Sequence, residues 1–475
     1  MPLPPAPAIA LALASCAPTA APQDDPPLPD TWLVQVRREH FDPRDIDYLV
    51  RLEQTEAGWT GRATIDALLA GRTTVPVSEV VRTDGHLSLT LGQPGGWPPT
   101  VLAGPLRDGL WTGAHSWQGP LRAHQGHFVA HPRTVLRLEG TADPRLPDTA
   151  DPAATGLDPL LLDRLVLAAE ESRTDQLIVV SDGKVVARRH FGGADRPMRL
   201  QSITKPIASL ALGMLEAEGQ LGGPDGIDTP VAHWLPALDD GTRGGVTLRH
   251  LLTHTSGLDP EGTLPLTRAP DRLAVSLETP ALHAPGTKAA YNNRAFNLLS
   301  GVIRAAAGEE PSAYLGPRLF GPLGMDSVSW ATDRAGHEPV YIGLSMTATD
   351  LAVLGQVLCE EGRWGDQQVV PEAWMSRMFR ASVPAAPRRG LSWALRPEPV
   401  LTPPPPPSEE THVGFGHTGT QGQQLWFHPD VDLVVVRLID LTDVGWGIQE
   451  SRDAMNDLAL MVDALAKDKR QRTRR

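Results

Sequence analysis

The pattern of apolar and polar positions divides the chain into two regimes. From about residue 31 to 135 the chain reads as β-rich. "HLSLTL" puts Leu87, Leu89 and Leu91 on one face and polar neighbours on the other. "TDG" just before it, and "RDG" at residues 107–109, read as turns. Trp32, Trp59, Trp97, Trp111 and Trp117 are spread through this segment, and it has no long stretch of 3.6-residue period. The pattern predicts a small all-β domain over 31–135, a small antiparallel sheet or a partial barrel. It holds no cluster of catalytic residue types, so packing, spacing or substrate gating is its expected role.

Beyond about residue 155 the periodicity changes. "DPLLLDRLVLAAEES" has helical spacing, and "DQLIVVSDGKVVARRHF" reads as two strands around a Ser-Asp-Gly turn. A long, mostly helical middle follows. Then "GHTGTQGQQLWFHPDVDLVVVRLID" reads as strand, turn, strand, and a last helix covers residues 449–466. Strands at both ends with helices between predict one α/β domain whose ends meet in a single sheet. Stretches rich in Pro, Asp and Ala separate the parts: a tether at 17–30 and a linker at 136–154. The run "PPPPP" at residues 403–407 reads as a stiff loop upstream of the final hairpin. The basic tail 468–475 reads as a solvated, disordered end.

With 475 residues, more than one domain is expected. The 43 basic and 56 acidic residues give a formal charge of −13, which excludes the basic face that a nucleic-acid partner needs. The two cysteines lie far apart. Cys16 follows "AIALALAS", and "LASC" resembles the end of a bacterial lipoprotein signal. Residues 1–16 are therefore expected to be a signal segment of an exported, periplasmic or cell-envelope protein. Membrane attachment would then run through lipid on Cys16. Cys359 is expected as a small buried residue on a helix.

The chemistry begins at "RLQSITKPIASLALGML". If a helix starts near Ser202, Lys205 shares its face and the ammonium can reach the serine hydroxyl. Pro206 falls in the first turns, where its missing N–H is least costly. Burial makes a lysine give up its proton more readily, so Lys205 could accept the serine proton, directly or through a neighbour. The free N–H groups of a helix N-terminus favour an oxyanion forming beside Ser202. The Ser-x-x-Lys spacing alone is common and settles nothing.

Three motifs in order give it weight: "SITK" with Ser202 and Lys205, "AAYNNRAFNLL" with Tyr291 and Asn293, and "GHTG" with His417, Thr418 and Gly419. "VTLRHLLTHTSGL", "PGTKAAYNN", "FGPLGMDSV" and "LSMTATDLAVLGQVLCEEGRWGDQQVVPEAWM" accompany them. Over residues 155–467 the chain resembles the serine β-lactamase and penicillin-binding-protein-like family, in its class C and esterase branch. That resemblance implies a DD-peptidase/β-lactamase-like fold, with an antiparallel sheet flanked by helices plus a helical subdomain. It implies Ser202 as the nucleophile of an acyl-enzyme, with Lys205 and Tyr291 sharing the general-base work. Asn293 would orient the lysine or the acyl amide. Thr418 and Gly419 would line the site, and the backbone N–H of Thr420 would join that of Ser202 in an oxyanion hole. A glycine at 419 is expected to let substrate lie close to that strand.

The resemblance implies a serine hydrolase without metal or cofactor, acting on a small-molecule ester or amide or a peptidoglycan-like substrate. Relatives often carry Lys-Thr-Gly where "HTG" stands. A histidine is mostly neutral at pH 7 and would hold a substrate carboxylate less firmly. That favours an esterase over a β-lactamase, D-aminopeptidase or DD-carboxypeptidase. The non-enzyme alternative is an idle member of the fold, acting as an envelope binding or assembly module. His250 and His254 in "HLLTH" have the spacing of a helical zinc pair. The glutamate base of a metalloprotease is missing and no third ligand suggests itself, so structural hydrogen bonds are expected of them. No G-x-S-x-G elbow occurs.

Overall fold

The computed structural model describes residues 31–38, 46–55, 58–67, 71–83, 85–92, 99–107, 110–118, 123–132, 135–191, 193–222, 226–260, 263–396, 414–440 and 448–474. The expected signal segment with Cys16, the tether, Trp97 and the run 403–407 lie outside these residues, as does the side chain of Trp117.

The alternating first region forms eight strands: β1 (Thr31–Arg38), β2 (Ile46–Thr55), β3 (Gly58–Ala67), β4 (Gly71–Thr83), β5 (His86–Leu91), β6 (Thr100–Arg107), β7 (Leu110–Gln118) and β8 (Ala123–Pro132). Each pairs with the next, and β1 also pairs with β8, with Val34 opposite Ala130, so the sheet closes into a barrel. Local alternation suggested a sheet or partial barrel, because a pairing between the first and last strands leaves no local signature. Leu87, Leu89 and Leu91 point inward as their spacing requires. Trp111 fills the centre edge-on to Trp32 at 6.0 Å and to Phe128 at 4.5 Å, and its Nε1 donates to Leu87 O. These rings make the interior a packed core.

Segment 136–154 is more than a linker. Leu138 bridges to Arg188 and Asp148 to Val185, so it lies along the edge of the second domain's sheet. That sheet starts with β9 (Gln176–Ser181) and β10 (Lys184–His190). Next along the chain come β11 (Met198–Arg199), β12 (Ser329–Trp330) and β13 (Leu344–Met346), which form a three-stranded sheet. A small pair, β14 (Arg363–Trp364) and β15 (Gln367–Gln368), precedes β16 (Ala394–Arg396), β17 (Gly414–Gly419), β18 (Gln423–His428) and β19 (Leu433–Leu438). The main sheet is antiparallel in the order β10-β9-β19-β18-β17-β16. Val179 sits opposite Val435, so the two ends of the domain do meet in one sheet.

Its helices are α1 (Pro159–Glu171), α2 (Thr204–Ala217), α3 (Leu248–Leu252), α4 (Thr263–Arg268), α5 (Arg272–Leu277), α6 (Asn293–Ala307), α7 (Pro311–Leu315), α8 (Ala348–Cys359), α9 (Glu372–Met378) and α10 (Ile448–Thr473). Alternation along β9 sends Leu177 and Val179 toward α1 and α10, and Ile178 and Val180 toward α8 and α2. Burying both faces explains why β9, β18 and β19 read as continuous apolar runs. Gly355 lets α8 lie close to the sheet, since a Cβ there would fall 2.4 Å from Val434 Cγ1. The helices α3 to α7 form the helical subdomain. Cys359 is half-buried at the end of α8.

The barrel docks on α1. Leu49 packs with Leu160 and Leu167, Arg51 reaches Asp163 at 3.4 Å, and Arg62 pairs with Asp158 at 2.9 Å. Both carboxylates are buried, and Arg137 adds a two-pronged pair to Asp163 at 2.6 and 3.0 Å. The docking helix α1 covers the sheet face opposite α2. The final helix also differs from expectation: it runs through the basic tail to Thr473. Lys469 bonds Ser181 and Asp182, Arg470 pairs with Asp430, and Arg472 pairs with Asp158 and Asp468. Acidic partners distant in sequence turn what reads as a solvated end into a bound one.

Candidate active site

The approach to Ser202 is held on several sides. Strand β11 pairs with β13, Leu200 N donates to Leu344 O at 2.9 Å, and Gln423 Nε2 donates to Arg199 O at 3.0 Å. Gln201 then takes a left-handed φ of 51°, which is unusual for a residue with a side chain. A 3₁₀ turn over Gln201–Ile203 carries Ser202 straight into α2. Lys205 follows one turn on, as the spacing predicts, with Pro206 in the first turn.

Lys205 is fully buried, and no carboxylate among the described residues pairs with it. Its Nζ donates to Ser202 Oγ at 2.9 Å, to the Tyr291 hydroxyl at 2.6 Å and to Tyr341 O at 3.1 Å. The rings of Tyr291, Phe296 and Tyr341 surround it at 4.7, 5.7 and 5.7 Å, an aromatic cage that favours a cation. Burial still wins and lowers the lysine below its ordinary value, while Tyr291 opposes that shift. Phe296 falls inside a motif quoted above. Tyr341 has no sequence signal, since what it contributes is a backbone oxygen and a ring face.

Tyr291 is 46% exposed, and its hydroxyl donates to Ser202 Oγ at 2.8 Å. Burial resists ionisation of the phenol. The Lys205 charge and the hydrogen bonds from Lys205 and Ser202 outweigh it, so the group lies below the usual phenol value. The neutral phenol donates to Ser202; as a phenolate it can only accept from the serine hydroxyl. Asn292 caps α6 by accepting from Ala295 N, and its amide donates to Leu258 O and Asp259 O. Asn293 opens that helix and is half-buried.

On the facing strand β17, His417 is buried and its Nδ1–H donates to Thr418 O at 2.8 Å. Burial first, then the Lys205 and Arg389 charges, hold it well below the usual histidine value, so it is neutral. Thr418 is half-buried and Thr420 exposed at the strand end. Gly419 is required for a reason other than the one expected. A Cβ there would lie 2.5 Å from Leu200 O and 2.9 Å from Gln201 Cβ, so the close approach is to the backbone leading to Ser202. Buried Arg437 fixes the same hairpin, donating to Gly422 O, Thr174 Oγ1 and Ser172 O.

His250 Nδ1 closes a capping box with Thr247, and His254 Nδ1 accepts from Asn292 N, so both make the structural hydrogen bonds expected of them; among the described residues no group of three or more metal-ligating side chains is brought together. Among the same residues, no helix is long and apolar enough to cross a membrane.

A serine at the head of a buried helix, with a lysine one turn on and a Tyr-x-Asn motif and a final hairpin beside it, defines the class of protein. The chain belongs to the beta-lactamase family, whose model, described as Beta-lactamase, matches residues 162–458. Esterase EstB of Burkholderia gladioli is 35% identical over 179 residues, which span 31% of this chain and 44% of that esterase. D-aminopeptidase of Brucella anthropi is 30% identical over 171 residues, 33% of this chain and 32% of its own length. This chain therefore spans less than half of either relative. A solved structure from Bacillus anthracis, assigned by its name as a 6-aminohexanoate-dimer hydrolase, shares the fold with a TM-score of 0.53. It is 20% identical and covers 63% of this chain and 81% of its own.

Proposed function

We propose that this protein is a serine hydrolase that cleaves an ester through an acyl-enzyme on Ser202. The observation that carries this reading is the triangle of Ser202 Oγ, Lys205 Nζ and the Tyr291 hydroxyl, with sides of 2.9, 2.6 and 2.8 Å. Lys205 as ammonium stabilises a phenolate on Tyr291, and the phenolate takes the Ser202 proton as Oγ attacks the acyl carbon. The tetrahedral oxyanion is met by the backbone N–H groups of Ser202 and Thr420. The close seating of Gly419 on Leu200 and Gln201 supports that assignment by bringing the two segments together. Tyr291 then returns the proton to the leaving alkoxide. In the second half-reaction water gives a proton to Tyr291 as its oxygen adds to the acyl carbon, and Tyr291 passes that proton to Ser202 Oγ as the bond to the serine breaks, which releases the acid and restores the phenolate.

An ester is favoured because His417, on the strand facing the nucleophile, is neutral, and because a relative carries the name esterase. One observation favours a second reading, a peptide of D-amino acids with a free carboxylate. Arg389 lies just ahead of β16, beside the strand of His417, and its charge acts on Lys205, His254, Tyr291 and His417. It could supply the cation that the histidine does not.

The test is a panel of p-nitrophenyl esters, nitrocefin and D-Ala peptides, with Ser202→Ala as control and a fluorophosphonate probe. Ester turnover and probe labelling that both vanish in Ser202→Ala are expected. A folded wild-type protein that is not labelled at Ser202 would overturn the enzyme reading and leave the idle binding module in its place.

A further inference from the structure

His254 belongs to none of the roles above, yet it touches three consecutive residues of the site. Its carbonyl accepts from Ala290 N at 2.9 Å, and its Nδ1 accepts from Asn292 N at 3.3 Å. Between these two bonds its ring lies on the Tyr291 ring, with centroids 4.5 Å apart and planes inclined by 36°. It also packs on Phe296 at 5.5 Å.

The geometry points to His254 as a positioning residue for Tyr291: it sets where the phenol hydroxyl stands relative to Ser202 and Lys205. Two observations separate this from simple filling. His254 holds a left-handed φ of 56°, a strained backbone for a side chain of this size. An acceptor at Nδ1 places the single proton of the neutral ring on Nε2, where it is buried without a partner among the described residues. An apolar ring would fill the space without that unmet donor. What the imidazole supplies and an apolar ring cannot is the Nδ1 lone pair that holds Asn292 N.

The role requires a neutral ring, since a proton on Nδ1 would remove that acceptor. The groups facing it agree. Lys205 from α2, Arg389 ahead of β16 and His417 on β17 all disfavour a proton on His254, in addition to its burial. Tyr291 faces it from the start of α6.

This inference rests on Tyr291 acting as the base, so the test first establishes that wild type is labelled at Ser202 by a fluorophosphonate. His254→Asn and His254→Gly are then compared, because both residues suit the left-handed backbone. The asparagine can place its Oδ1 near the Nδ1 position, whereas the glycine offers no acceptor. Where the glycine variant does not fold, His254→Gln, whose amide oxygen sits one carbon too far out, takes its place.

The expected result is a fall in kcat on the order of 100-fold without the acceptor, with KM little changed. The acid limb of kcat moves to higher pH, because a loosened phenol gains less from the Lys205 charge. His254→Asn recovers most of both effects. An unchanged kcat and acid limb in a folded acceptor-less variant would overturn the role, as would equal losses in all variants with the acid limb unmoved. Loss of labelling in wild type would instead strike the proposed function.

Discussion

Lys205 Nζ and the Tyr291 hydroxyl lie 2.6 Å apart, and each changes the proton affinity of the other. Burial favours the neutral lysine, while the phenolate it could sustain favours the ammonium. The two titrate as a pair, so pH-rate data will report values that belong to both.

The sign of the pH dependence follows. Below the lowered value of Tyr291 the phenol cannot accept the serine proton, and above that of Lys205 the stabilising ammonium is lost. Both shifts are downward from the usual 10.0 and 10.5. Ester turnover is expected to rise with pH to an optimum below 10 and then decline. A pH profile of kcat/KM checks this, and Tyr291→Phe is expected to abolish the rising limb.

Removing either member removes the proton relay. Lys205→Ala and Tyr291→Phe are each expected to lower kcat/KM by about 10²–10⁴-fold. Tyr291→Phe should melt near wild type. Lys205→Ala also leaves Tyr341 O without its donor, so its melting temperature should fall. Near-normal turnover in both variants would show that the relay lies elsewhere.

Gly419→Ala tests the seating of β17 on the turn that carries Ser202. The added methyl meets Leu200 O at 2.5 Å, and backbone must shift to admit it. A displacement of this size is expected to cost kcat on the order of 100-fold, with a smaller effect on KM. Steady-state kinetics on one ester are sufficient to check it.

Two histidines make stability depend on pH. His254 and His417 are held well below 6.5 by burial, while in the unfolded chain each titrates near 6.5. Stability is therefore full above about pH 6.5 and is lost as pH falls toward the folded values. Unfolding in this window should take up about two protons, read from the slope of stability against pH. His417→Gln should reduce that number by about one.

Arg389→Gln separates the two substrate readings. If the substrate carries a carboxylate, the variant should raise KM at least about tenfold for D-Ala peptides while KM for neutral esters stays unchanged. Equal effects on both substrate classes would remove Arg389 from recognition.

The interface of the two domains can be weakened away from the site. Asp158 caps α1 by accepting from Leu160 N, and it pairs with Arg62 of the barrel and Arg472 of α10. Asp158→Ala leaves Leu160 N without its cap and releases two partly exposed guanidinium groups to water, and is expected to lower stability by about 1–2 kcal/mol. Turnover at 25 °C should be retained. Urea unfolding and an ester assay together check it.

Ser202 and Lys205 were legible because one helical turn fixes their neighbourhood. Tyr291 lies 89 residues from Ser202, and only its motif, not any periodicity, brought it forward. The β region was legible strand by strand, since Leu87, Leu89 and Leu91 face the core as their spacing requires. Its closure was not, because the pairing of Val34 with Ala130 has no local trace. The basic tail misled for the same reason, since Arg472 finds Asp158 across 314 residues. His254 was visible only as half of a discarded metal pair, because its value lies in a lone pair pointed at a backbone N–H.

The carboxylate of Asp158 is shared by a residue near the beginning of the described chain and one near its end. During synthesis Arg62 emerges long before Arg472, so the barrel can fold early while its seat on α1 is still incomplete. The last turn of α10 closes that seat. A ribosome that stalls before residue 472 would leave an assembled barrel resting on a half-finished joint.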